Sequence, residues 1–182
     1  IETSESFPAL IELNKKALDF TAFAFAGAAV SKDETRHVLM HICIHKGHAI
    51  GTDGRRLNRA KLSGAFPYSE EMVLFRVMKL NKSALILSKA DAGNFPNYEN
   101  VLPKLENKLG DFSCTAYSSS NAFCRILNAA DGSAFDFRFF EGSAPAGTFE
   151  AWQTSNISPL CMISRIGGSI AFQGVVMPLR VN

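Results

Sequence analysis

The 182-residue chain is short of most features that announce a chemistry. Its formal net charge is only +2, so no global field recruits nucleic acid, and any such contact must rest on local clusters. No apolar run reaches the roughly 18 residues that a membrane-spanning helix needs. The apolar stretch at 22–30 is short and has no basic flank at a chain start, so it does not read as a signal peptide. The first residue is Ile rather than Met, which suggests that residues upstream have been removed. The cysteines Cys43, Cys114, Cys124 and Cys161 form no C-x-x-C pair and stand among apolar neighbours. They read as buried free thiols of a reducing compartment. No phosphate loop, dinucleotide-binding glycine motif or nucleophile elbow is present. Carboxylates are sparse and scattered, which makes a two-carboxylate glycosidase or a two-metal nuclease hard to build. No catalytic residue, cofactor or metal ligand is assigned, and the chain reads as a non-enzyme.

What is present is the composition of a globular domain: 47% hydrophobic and 20% charged residues, with fifteen Phe against one Trp and three Tyr. The length supports one good core, or at most two small ones. A first helix is expected from Ser6 to about Ala26, because Leu10, Leu13, Ala17, Phe20 and Ala24 follow helical spacing. Lys15 and Lys16 lie off that stripe. A strand is expected from Arg36 to His45, with His37, His41 and His45 on one face. Histidines four apart on a strand are about 13 Å from each other, too far to share one ion.

Lys46-Gly47 reads as a turn, as does Asp53-Gly54 in the basic hairpin that continues through Arg55, Arg56 and Arg59. Strands at 72–78 and 83–88 flank a turn at Asn81-Lys82. Pro96 and Pro103 bracket an extended segment. A strand at 112–117 and a cap cluster at 118–121 precede a second helix, 122 to about 130, from which Arg125 projects. Strands are expected at 134–140, 148–154, 159–164 and 169–178, with a tight turn at Gly167-Gly168. The class is therefore α+β with mainly antiparallel sheet. Two halves, about 1–105 and 106–182, share a helix-then-strands order without a residue-level repeat. They read as one domain, or as two small ones with the boundary near 104–110.

Three stretches then read together. They are Thr52-Asp53-Gly54-Arg55-Arg56-Leu57, the segment from Phe95-Pro96-Asn97-Tyr98 to Val101-Leu102-Pro103, and the tail Val175-Val176-Met177-Pro178-Leu179-Arg180. In that order they resemble the bacterial DNA polymerase III beta sliding clamps, the processivity factors of replication. The stretch 31–39 resembles that family's approach to its first strand. The motifs cover a small part of the chain, and the chain looks like a shortened homologue.

The resemblance implies a clamp-like fold with helices packed on antiparallel sheets, no catalysis, and a cytoplasmic role in DNA replication. It implies double-stranded DNA as a non-specifically bound partner, with Lys15, Lys16 and Arg125 as candidates to face phosphate. It also implies a homo-oligomer, and a surface pocket that takes linear peptides of the DNA polymerase and the clamp loader. Carried over, that pocket would use Thr52, Gly54, Arg55, Arg56, Leu57, Pro96, Val101, Val176, Met177, Pro178 and Leu179. The sequence departs from the family pattern at Arg55, where His is usual, at Asn100, where a basic residue is common, and at Leu179, which replaces Met. Two alternatives stand beside this reading: a peptide-binding module that does not encircle DNA, and a small metal-dependent enzyme using the histidine strand.

Overall fold

A computed structural model describes residues 6–114 and 119–180. The chain divides into two compact units, one of Ile1–Asp53 and Arg59–Phe95, the other of Gly54–Asn58 and Pro96–Asn182. Each is antiparallel sheet covered by helix, so the class is α+β.

The first unit opens with a correction. The expected helix from Ser6 is a strand, β1 (Leu10–Asn14), followed by a shorter helix, α1 (Phe20–Gly27). Strand alternation was available in the same residues: Ile11 is buried while Leu10 and Glu12 are exposed. The Asn14 side chain stops the strand by accepting from the Lys16 N–H at 2.9 Å, a local turn that competes with helix. Lys15 and Lys16 therefore lie in a turn, not on a helix face. After α1, Asp33 caps a 3-10 segment, Glu34–Met40, by accepting from the Thr35 N–H. The expected long strand is thus shortened to β2 (His41–His45), all of it buried. Because His37 is in the 3-10 segment, its ring lies 5.1 Å from that of His41 instead of a strand's distance away.

Strands β3 (His48–Thr52), β4 (Arg56–Lys61), β5 (Val73–Leu80) and β6 (Ala84–Ala90) complete this unit's sheet, in the order β1-β6-β5-β2-β3-β4. Only Arg59–Lys61 of β4 belongs to this unit. The turn between β2 and β3 is the expected Lys46-Gly47, both at positive φ, which matches the twist of a two-residue hairpin. Phe23, Ile42, Ile44, Ile50, Phe75, Leu85 and Leu87 form the core. α1 lies directly on β3: a Cβ at Gly51 would sit 1.9 Å from the Ala26 carbonyl oxygen. Its start is tied down by the buried Asp19 carboxylate, which accepts from the Ser63 N–H at 2.7 Å and from the Ser63 hydroxyl.

The second unit contains β7 (Lys108–Cys114), α2 (Ser119–Ala129), α3 (Phe137–Ser143), β8 (Gly147–Trp152), β9 (Leu160–Ile166) and β10 (Ser169–Val176). Its strand order is β4-β10-β9-β8-β7, with Arg56–Asn58 as its share of β4. The expected strand end at 115–117 and the cap residue Ser118 lie outside the described residues. α2 covers most of the expected span but begins earlier, so that Ser119, Ser120 and Asn121, expected as caps, are helical; Ala122 and Ile126 are its buried positions. The expected strand 134–140 is overturned, because its second half is α3. Phe135, Phe137 and Phe139 alternate as a strand would, yet Asp136 accepts from the Arg138 N–H as an N-cap and Phe137 and Phe140 share a helix face. Phe123 packs against both, at 5.2 and 5.0 Å between ring centroids. Phe112, Phe135 and Phe149 belong to the same core. Gly167 and Gly168 make the tight turn into β10 as expected. Between the sheets' strands, Tyr98–Val101 forms a 3-10 turn inside the segment expected to be extended.

Candidate functional site

The tail after β10 borders a concave, partly apolar surface of the second unit. Met177, Pro178, Leu179 and Arg180 line a cleft of about 570 Å³ with Gly132, Ala134, Asn156 and Ile157. That volume is in the range of ligand and peptide pockets. Met177 is 45%, Leu179 50% and Ile157 81% exposed, so three large apolar side chains meet solvent around one depression.

Backbone hydrogen bonds hold the tail in place. The Met177 N–H donates to the Arg55 carbonyl at 2.9 Å, and the Leu179 N–H donates to the Ala134 carbonyl at 2.7 Å. Met177 and Leu179 stand two residues apart on this extended tail, so their side chains share one face, and that face is exposed. The opposite wall is organised by Gln153, which is buried. Its amide Nε2 donates to the Ser158 carbonyl at 2.9 Å and lies 3.1 Å from the Ser133 hydroxyl, while Ser133 donates to the Asn156 carbonyl at 2.9 Å. One buried amide thus joins the loop before α3 to the loop that presents Asn156 and Ile157.

Arginines surround an aromatic face next to the tail. The Arg55 and Arg56 guanidinium carbons lie 6.0 and 5.3 Å from the centroid of the Phe139 ring. Arg138 pairs with Asp136 at 2.7 Å. The Asp136 carboxyl is held below its ordinary value, first by the side-chain and backbone hydrogen bonds from Arg138, and also by the positive charges of Arg138 and Arg55.

The sequence-derived pocket residues separate into groups. Met177, Pro178 and Leu179 line the cleft, and Arg55 is hydrogen-bonded to the tail through its backbone. Gly54 forms the turn at positive φ, and Arg56 shares Phe139 with Arg55. Leu57 and Val176 are core residues and line no open surface. Pro96 is exposed, and Val101 is 52% exposed at the end of its 3-10 turn; neither is among the cleft residues. Thr52 is buried in the first unit. Gln153, Asn156 and Ile157 escaped the sequence reading. An Ile standing alone in the polar run Thr154-Ser155-Asn156-Ile157-Ser158 was the signal available.

Arg125 is exposed on α2, with its guanidinium carbon 5.5 Å from the Phe112 centroid. With Leu109, Asp111 and Asn128 it borders a shallow depression of about 520 Å³. Among the described residues no group of three or more His, Cys, Asp or Glu is placed to hold a metal ion. Cys43 and Cys161 are buried as expected, and burial pushes the Cys43 thiol up to about 12. Cys124, by contrast, is exposed. Among the described residues no helix is long and apolar enough to cross a membrane.

This architecture is the fold of the bacterial DNA polymerase III beta sliding clamps. No family model matches the chain, and no curated protein matches it; the likeness is to solved structures. The beta chain of DNA polymerase III from Streptococcus pneumoniae TIGR4 matches at 15% identity and a TM-score of 0.63, over 97% of this chain and 66% of that one. The sliding clamp of Pseudomonas aeruginosa bound to griselimycin matches at 14% identity and a TM-score of 0.64, over 100% of this chain and 68% of that one. The Caulobacter crescentus beta subunit matches at 19% identity and a TM-score of 0.59, again over 100% and 68%. The chain thus spans about two thirds of the length of these clamps, sharing their fold at low identity.

Proposed function

We propose that the chain is a sliding-clamp-like, non-enzymatic processivity factor that docks short linear peptides of replication proteins. The observation that supports this most is the cleft at Met177–Leu179, which opens beside the Arg55 backbone in a chain that shares the clamp fold. An apolar anchor of a bound peptide would gain affinity by leaving water against Met177, Leu179 and Ile157. The expected partners are a DNA polymerase and a clamp loader, with the protein acting as a homo-oligomer on double-stranded DNA in the cytoplasm.

The test is a binding titration with a fluorescent peptide taken from a DNA polymerase's clamp-binding segment. Saturable binding that Met177→Asp abolishes is the expected result. Met177 is exposed, so the variant should keep its fold by circular dichroism. Binding that persists unchanged in that variant rejects the pocket.

A second reading has its own observation. α1 carries no Lys or Arg, α2 carries only Arg125, and Lys15 and Lys16 sit in a turn. Helix faces with so little positive charge favour a peptide-docking module that does not encircle DNA. Binding of a labelled duplex that falls with added salt would support the encircling form. Absence of binding at low salt would favour the module.

A further inference from the structure

In the first unit, the strand pair β3–β4 carries cations for which the peptide cleft has no use. The Leu62 N–H donates to the Gly47 carbonyl at 2.9 Å, which sets Lys61 opposite His48 across the pair. Arg59, two residues back along β4, shares the face of Lys61. That face is turned away from α1, because His48 is three residues from Gly51, whose own face meets Ala26. Lys61 is exposed, while His48 and Arg59 are half-buried. Among the described residues neither Arg59 nor Lys61 makes an ion pair or a side-chain hydrogen bond. A half-buried guanidinium in that position has lost part of its water without gaining an acceptor. The carboxylates on neighbouring elements are engaged elsewhere or stand apart. Asp19 accepts from Ser63, and Glu70 accepts from the Tyr68 hydroxyl at 2.9 Å. Glu71 is exposed and makes no ion pair among the described residues. Asp53 lies beyond the far end of β3, about 16 Å along the strand from His48. The charged groups that act on the His48 ring are Arg59, Lys61 and His45, with no carboxylate among them.

We propose that His48, Arg59 and Lys61 form a binding site for a phosphate group on this face of the first unit. A guanidinium fork, an ammonium and an imidazole offer more donors than the two oxygens of a carboxylate can use, and a phosphate has the oxygens to meet them. The imidazole is set for this. Its Nδ1 lies 2.8 Å from the Lys46 carbonyl and so carries the hydrogen, which leaves Nε2 as the position that takes up a proton. Burial and the two cations hold the ring neutral, and a bound anion opposes that field, so phosphate and proton bind together. The phosphate can be carried by a free nucleotide or by a nucleic-acid strand, and the test separates these sources. The site stands or falls independently of the peptide cleft.

The experiment follows the histidine ring signals by NMR from pH 5 to 8, in inorganic phosphate and in chloride at matched ionic strength. The wild-type chain is compared with Lys61→Gln and with Arg59→Gln/Lys61→Gln. In the wild-type chain phosphate should move the His48 titration saturably to higher pH, with His37 and His41 as internal references. The phosphate concentration for half the effect should rise about threefold to fivefold in Lys61→Gln and about tenfold or more in the double variant. In chloride, both variants should titrate His48 at higher pH than the wild type, because cations beside the ring are gone; this shows that the ring has kept its place. Adenosine monophosphate and a thymidine oligonucleotide then replace phosphate. Equal effects per phosphate assign the site to the phosphate group alone, and a strand that acts at about tenfold lower concentration assigns it to nucleic acid; both support the site. A wild-type His48 that titrates identically in phosphate and chloride overturns it. A phosphate effect of the same size and midpoint in all three proteins marks an adventitious ion only, and overturns it as well.

Discussion

Gln153 shows how one side chain can set a surface it does not belong to. It is buried, and its amide connects Ser133 with the Ser158 carbonyl. Gln153→Leu keeps similar bulk but strands those polar groups in the interior, which costs about 1–3 kcal/mol. A urea midpoint lowered accordingly, together with weaker peptide binding, is the expected result. His48 gives a pH effect at the same scale. Burial lowers its pKa below the ordinary 6.5, with Arg59, Lys61 and His45 adding to the shift and the hydrogen bond to the Lys46 carbonyl opposing it. The unfolded chain therefore binds a proton more readily than the folded one. Its contribution to stability is full above about pH 6.5 and is lost as pH falls through the lowered folded-state value. Urea midpoints measured from pH 7.5 down to 5 should fall less steeply in His48→Gln than in the wild-type chain.

At the scale of elements, both units use the same device to seat a helix. A Cβ at Gly51 would lie 1.9 Å from the Ala26 carbonyl oxygen near the end of α1, and one at Gly174 would lie 1.8 Å from the Ser143 carbonyl oxygen at the end of α3. In each case the last turn of a helix rests on the bare backbone of a strand. Neither glycine is at a positive φ, so the requirement is space and not conformation. Gly51→Ala and Gly174→Ala should each destabilise by about 1–3 kcal/mol or more, because the blocking atom is backbone and cannot swing away. Thermal denaturation of the two variants checks this. The parallel also supplies the repeat that residue-by-residue comparison of the halves does not show: the shared feature is a contact between a carbonyl and a glycine, and the residues around it differ.

For the molecule as a whole, the open question is assembly. The chain spans about two thirds of the length of the clamps it matches, and the proposed encircling form makes a definite demand on assembly. Closed rings require a defined oligomer, whereas a docking module works as a monomer. Sedimentation velocity across a concentration range should give one discrete oligomer if the encircling form is right, and retention of a circular duplex but not its linear form would follow. A monomer at all concentrations would favour the module.

Much of this was legible in the chain, and the reasons differ by feature. Lys46-Gly47, Asp53-Gly54 and Gly167-Gly168 determine their turns locally, because positive φ is demanded within two residues and Gly supplies it. The apolar run 72–78, the turn signal at Asn81-Lys82 and the run 83–88 pointed to the antiparallel pair of β5 and β6, and the order of three motifs pointed to the clamp fold. Tertiary structure decided the rest. Residues 10–14 and 135–140 each satisfy both a strand and a helix period, and the choice fell to partners far away: β6 takes the first as a strand, while the Asp136 cap and the Phe123 ring take the second as a helix. The cleft was half visible. Its tail is one contiguous motif, but the facing wall comes from residues 132–134 and 156–157, which the buried Gln153 amide and the Ser133 hydroxyl tie together. Leu57 and Val176 belonged to the same motifs and yet went to the core, since a strand sends alternate side chains to opposite faces and sequence order alone does not say which face a sheet will cover.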